Sequence, residues 1–134
     1  MTAEALDAIA RGELQRVAGF RDRILCCSVA GCLAAGGDAV RKALAAGGAE
    51  VDVCGTGCMG LCSEGPLVRS AARDTIYTNV APADAPAILS GDYASAIRPD
   101  DPFFKGQHRL ILANSGHTDP ERIEDYIAAG GYRA

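Results

Sequence analysis

Residues 23–54, "RILCCSVAGCLAAGGDAVRKALAAGGAEVDVC", decide the fold of this chain. The opening "RILCC" is a short apolar run set between charge and a loop of small residues, which reads as a buried strand over residues 23–27. Next comes Asp38, a helix-capping type, with Val40, Ala43 and Leu44 on one side and Arg41 and Lys42 on the other. The spacing predicts a helix ended by Gly47 and Gly48. "EVDVC", residues 50–54, alternates like a second strand. Strand, helix and strand at this length form a βαβ unit, whose strands are parallel with a right-handed crossover.

Downstream of "SEGP", residues 67–70 and 75–78 are short strand candidates separated by "AARD", as in a hairpin. Pro82, Asp84 and Pro86 crowd a helix start, which is tolerable if Pro86 lies in the first turn before Ile88 and Leu89. The order β-α-β-β-β-α with a final antiparallel pair is a thioredoxin-like α/β arrangement. Ahead of it, Leu6, Ile9, Ala10, Leu14 and Val17 recur at helical spacing, predicting an amphipathic helix over about residues 3–18.

A linker that docks on something is read at residues 97–107, where "IRPDDPFFKGQ" mixes prolines, charge and two phenylalanines. Beyond it residues 109–113 are a strand candidate. Asp119 before Pro120 signals a helix carrying Ile123, Tyr126 and Ile127 and stopped by Gly130 and Gly131. The expected division is an N-terminal helix at 1–20, a thioredoxin-like domain at 21–96, and a linker and leading segment at 97–134 with weak stability of its own.

The 134 residues are enough for about one modest core, and an apolar content of 49% marks a folded chain. Tryptophan is absent, so Ala, Val, Leu and Ile must fill that core. A formal charge of −4 with no long basic run excludes a nucleic-acid footprint. The N-terminus lacks the apolar stretch of a signal peptide, and no run is long enough to span a membrane. A cytoplasmic location is expected.

In that compartment structural disulfides are rare, so six cysteines point to metal or redox chemistry. Cys27-x4-Cys32 and Cys58-x3-Cys62 lie on glycine-rich loops that each follow a strand. An iron–sulfur cluster needs four converging thiolates with backbone N–H groups close by, and glycine permits that approach. Leu33, Met59 and Leu61 are placed to limit solvent. Spacing leaves the ligand set open, since Cys54-x3-Cys58 has the same separation as Cys58-x3-Cys62. Strand alternation sends Cys26 and Cys27 to opposite faces, and Cys54 reads as a buried hydrophobe.

Other chemistries fit less well. Zinc ribbons favour C-x2-C knuckles, and thioredoxin-type oxidoreductases need C-x2-C at a helix start, which is absent. A zinc-binding domain nevertheless stays open, as does a subunit-docking module without a functional cluster that uses Phe103 and Phe104. His108 and His117 lack triad partners and read as surface residues; Glu121, Arg122 and Glu124 read as the solvated face of a helix.

The runs "RILCCSVAGCLAAGG", "VDVCGTGCMGLCSEGPLV" and "DPFFKGQHRLILANSGHTDPERIEDYIAAGGYRA" resemble the N-terminal part of the diaphorase flavoprotein subunit of bidirectional, NAD-linked [NiFe] hydrogenases. That subunit is related to the 51 kDa NADH-binding subunit of complex I. The resemblance spans about residues 22–134. It implies a thioredoxin-like [2Fe-2S] ferredoxin domain whose four ligands match Cys27, Cys32, Cys58 and Cys62, leaving Cys26 and Cys54 outside the set, with no catalytic residue of its own. It further implies that FMN and NAD bind only in a domain downstream of a segment matching "IEDYIAAGGY", and that other diaphorase and hydrogenase subunits are partners. The 134 residues alone are then a fragment not expected to oxidise NADH, whereas the parent subunit is an NAD(H)-dependent oxidoreductase.

Overall fold

A computed structural model describes residues 2–133; Met1 and Ala134, which terminate the first and last expected segments, lie outside the described residues. Strand β1 (Asp22–Cys27) is buried along its whole length and lies at the middle of the chain's early pairings. It pairs in parallel with β2 (Val51–Thr56), with Asp22 opposite Val51 and Cys27 opposite Thr56. On its other side it pairs antiparallel with β3 (Val68–Ser70), which forms a hairpin with β4 (Thr75–Tyr77). A two-residue strand, β5 (Ala96–Ile97), closes the sheet in the order β2-β1-β3-β4-β5. Within β2-β1-β3-β4 only β3 runs against the others, the thioredoxin-like arrangement expected from the sequence.

Helix α1 (Ala3–Ala18) begins where the Thr2 hydroxyl accepts from the Ala5 N–H at 3.2 Å and ends at Gly19. A short helix not foreseen, α2 (Ala30–Ala34), lies inside the first cysteine loop. The crossover helix α3 (Gly37–Ala45) starts one residue before Asp38. Gly36 is its N-cap in the left-handed region at φ +97°, and Asp38 sits in the first turn, 2.7 Å from Lys42 Nζ. Pro86 does lie in the first turn of α4 (Ala85–Ser90). The short helices α5 (Pro102–Lys105) and α6 (Ile123–Ala128) complete the list.

The strand expected at 109–113 is absent, and these residues form turns. They do not join the sheet, and Leu110 and Ile111 remain 81% and 98% exposed. The helix after Pro120 is also shorter than the signal implied. Asp119 accepts from the Glu121 N–H at 2.9 Å, and α6 begins only at Ile123.

Two faces of the sheet are held by different physics. On one, Ile24, Cys26, Val51, Val68 and Tyr77 pack on Val40 and Leu44 of α3 and Ile88 of α4, an ordinary apolar core. On the other, α1 and α6 pair through Leu6, Ala10 and Ile127 and meet the sheet through charge. Arg23 of β1 donates to both carboxylate oxygens of Asp125 at 3.0 and 2.6 Å, and its Nε lies 3.1 Å from Asp52 Oδ2 without hydrogen-bond alignment. Glu13 binds Arg16 and Arg122, each at 2.8 Å, and Arg16 reaches on to Asp52 at 3.0 Å. Arg122, read from sequence as solvated, is therefore half of an ion pair that spans the chain.

Both buried arrangements give measurable expectations. Asp125→Ala leaves the buried Arg23 guanidinium without its two aligned hydrogen bonds and with only the misaligned Asp52 carboxylate beside it, and should lower stability by about 3 kcal/mol in urea unfolding, while adding Arg23→Met should recover part of that loss. Arg16 first, and then Arg122, hold the Glu13 carboxyl down from 4.5 to about 2 against an opposing effect of burial. Because its folded pKa is depressed, its contribution is complete above pH 4.5 and is lost as pH falls toward 2. Glu13→Gln should flatten that acid limb, which for the wild type amounts to about 3 kcal/mol.

Candidate metal centre

Two loops leave β1 and β2 at the same end of the sheet, because the paired strands end in register at Cys27 and Thr56. Cys27 is the last residue of β1 and Cys32 lies in α2; both are buried. Cys58 follows β2 and is half-buried, and Cys62 opens a 3₁₀ turn at Cys62–Glu64 and is exposed. The Sγ atoms of Cys58 and Cys62 stand 3.5 Å apart. Cys27 and Cys32 share one apolar cluster.

Glycines bring the two loops together. A Cβ on Gly31 would lie 3.5 Å from Cys62 Cβ, and one on Gly65 would lie 3.0 Å from Cys32 Sγ. The Gly60 N–H donates to Cys58 Sγ at 3.4 Å, with Gly60 itself at φ +90°. Met59, Leu67 and Ile76 are buried around the inner thiols, with Leu61 and Phe104 packed against them. Leu33, expected to shield the site, is 46% exposed.

The remaining cysteines point elsewhere. Cys26 belongs to the core on the opposite face, and burial pushes its thiol up to about 12. Cys54 is buried within β2 rather than at its end; burial raises it to about 11 although Arg23 opposes this. Burial likewise pushes Cys32 up to about 11, and the neighbouring Cys27 adds to the shift. Cys62 is raised chiefly by its hydrogen bond with Cys58.

Among the described residues no three His, Cys, Asp or Glu side chains converge on a point suited to one metal ion. The four thiols form two pairs, one inside and one at the surface. A buried thiol with a raised pKa stays protonated until a cation takes the place of its proton. The donor chemistry, the glycine approaches and the Gly60 N–H fit a polynuclear iron–sulfur group, which needs sulfur ligands and hydrogen bonds to sulfur.

Several contacts at this site have no local signal in the sequence. Phe104 packs against the apolar cluster that holds the inner thiols, whereas Phe103 is 48% exposed. Arg109 stacks 4.9 Å from the Phe104 ring and donates to the Met59 carbonyl at 2.8 Å. His117, exposed as expected and set beside Arg69, has its pKa lowered by partial desolvation first and then by that guanidinium.

No protein-family model matches the chain. A crystal structure of the wild-type thioredoxin-like [2Fe-2S] ferredoxin from Aquifex aeolicus is similar over 53% of this chain and 84% of its own, at 21% identity and a TM-score of 0.47. Another structure of a thioredoxin-like [2Fe-2S] ferredoxin from that organism covers 77% of this chain and 99% of its own, at 18% identity and a TM-score of 0.45. The thioredoxin-like assignment of this chain rests on its own strand order and orientation. No helix among the described residues is long and apolar enough to cross a membrane.

Exposure and thiol chemistry together set an order of reactivity. In metal-free native protein at pH 8, iodoacetamide should modify Cys62 first and leave Cys26 and Cys54 unmodified until denaturant is added. Peptide-resolved mass spectrometry reads the order, and early labelling of Cys26 would contradict this packing.

Proposed function

We propose that the chain is an electron-transfer module holding one [2Fe-2S] cluster on Cys27, Cys32, Cys58 and Cys62. The observation that carries this is the disposition of these thiols, two buried and two at the surface, on glycine-rich loops leaving adjacent parallel strands. When bound, the cluster supplies reversible one-electron chemistry.

The chain's own residues determine how that chemistry is used. Cys27 and Cys32 anchor the inner side, where Met59, Leu67, Ile76 and Phe104 exclude water. Cys62 and Cys58 present the outer side to solvent, so exchange with a partner takes place at that edge. The Gly60 N–H on Cys58 Sγ favours negative charge on sulfur and so raises the reduction potential. A mononuclear zinc site needs four ligands around one ion, which the two-pair arrangement supports less well.

The resemblance of the cysteine runs and of residues 101–134 supports a more specific setting. In it, residues 21–96 are the cluster domain, preceded by the helix at 1–20, and 97–134 lead toward a downstream domain that binds FMN and NADH. The parent would be the diaphorase subunit of a cytoplasmic, NAD-linked hydrogenase, exchanging electrons with its flavin and with neighbouring subunits.

Anaerobic reconstitution tests the cluster. About two irons and two sulfides per chain and a paramagnetic signal on one-electron reduction are expected. Cys→Ser at 27, 32, 58 or 62 should abolish or alter the spectrum, while Cys26→Ser and Cys54→Ser should leave it recognisable. One zinc per chain, or no iron, would refute the proposal.

A further inference from the structure

The second cysteine loop is fastened by a distant part of the chain. Thr56, the last residue of β2, is 1% exposed, and its hydroxyl is used twice: it donates to the Thr118 carbonyl at 2.8 Å and accepts from the Gly116 N–H at 2.8 Å. The Gly116 carbonyl in turn accepts from Arg69 at 2.9 Å. Gly116 sits at φ +83°, and a Cβ there would stand 3.2 Å from Met59 Cγ and Sδ. Met59 is itself 1% exposed, and its carbonyl accepts from Arg109 at 2.8 Å. A Cβ on Gly57 would lie 2.6 Å from Ser115 Oγ.

These contacts bracket one thiol. Thr56 lies two residues before Cys58 and Met59 one residue after it, and both are held by residues 109–118. Cys58 carries no bond to that segment of its own, yet the backbone on each side of it is fixed. A buried hydroxyl that loses both partners cannot turn to water for replacements. The segment is thus a strap across the loop, turned and irregular because its polar groups are committed to these contacts.

We infer that residues 109–118 are a positioning strap for Cys58, with Thr56 and Arg109 as the positioning residues. This rests on the reading of Cys58 as a ligand for its use, but its geometry is independent of any bound cluster. With the strap in place the Cys58 Sγ is held 3.5 Å from Cys62 Sγ, the separation at which both can serve one site. Without it the loop at 57–61 keeps only its own glycine-rich backbone, and the pair separates.

The test uses the full chain in its metal-free form. Alkylation of Cys58 by iodoacetamide is followed by peptide mass spectrometry, with Cys26 and Cys54 as internal reporters of global unfolding. Thr56→Val preserves shape and removes both hydrogen bonds, so Cys58 should react on the order of tenfold faster while Cys26 and Cys54 stay protected. Thr56→Ser restores the hydroxyl and should return Cys58 to the wild-type rate. Should the valine variant fail to fold, Arg109→Met removes the bond to Met59 together with the cation over the Phe104 ring, while leaving Thr56 in place, and should accelerate Cys58 several-fold. Wild-type Cys58 rates in a folded Thr56→Val or Arg109→Met variant would overturn the strap. In reconstituted protein the valine variant should also shift the reduction potential, with Thr56→Ser restoring it. If the wild type takes up no iron, the ligand reading fails, and the alkylation result still decides the strap.

Discussion

Parallel pairing of β1 with β2 is the constraint from which the site follows. Six residues of each strand run in register, and both strands end together, Cys27 beside Thr56. Each must continue into a loop at the same end of the sheet, so thiols separated by 25 residues in sequence emerge as neighbours. A parallel pair requires a crossover, supplied by α2 and α3, and burial of Val40 and Leu44 fixes how far that crossover lies from the sheet. Gly65 then helps to set how closely the loops approach, because a Cβ there would stand 3.0 Å from Cys32 Sγ.

The sheet face opposite α3 and α4 is organised by charge. Arg23 projects from β1 into the α1–α6 layer and is answered by Asp125 and Asp52, while Glu13 joins Arg16 to Arg122. Ion pairs of this kind contribute little net stability compared with a well-packed apolar contact, yet they tolerate few alternative arrangements. Their effect is to specify register: α6 has one position in which Asp125 meets Arg23 and Arg122 meets Glu13. That position sets where the preceding residues 109–118 can lie, so the clasp between the chain's two ends also aligns the strap over Cys58.

The sequence exposes what is local and hides what is not. Adjacent Cys26 and Cys27 are separable by strand alternation alone, and they do enter different cores. The βαβ unit and the hairpin are readable because period, turn residues and length agree. Arg23 and Asp125 stand 102 positions apart and Thr56 and Thr118 stand 62 apart, and no composition or period marks either pairing. Residues 109–113 have the composition of a strand and form no strand, since Arg109 is committed to the Met59 carbonyl and Leu110 and Ile111 stay exposed. Arg122 has the spacing of a solvated helix face, and only the fold reveals that Glu13 lies opposite. Of the candidate site, the two glycine-rich cysteine loops are legible in the sequence although their spacing leaves Cys54 and Cys62 as rivals, whereas Phe104, Arg109 and Thr56 come from segments whose approach depends on the ion-pair clasp.

Charge gives the strap a second consequence. A [2Fe-2S] centre on four thiolates carries a formal charge of about −2, and about −3 after reduction, so nearby cations bear directly on its potential. Of the two guanidiniums that touch the strap, Arg69 is already compensated by Asp74 at 2.6 Å. Arg109 has no carboxylate ion pair among the described residues; it lies over the Phe104 ring and donates to the Met59 carbonyl, one residue from Cys58. Its charge is therefore uncompensated on the side of the loop where Cys58 sits, and the aromatic ring beneath it limits access of screening water. In the proposed cluster-bound protein the residue that fixes the loop would therefore also favour added negative charge on it, so that position and potential would be two properties of a single contact.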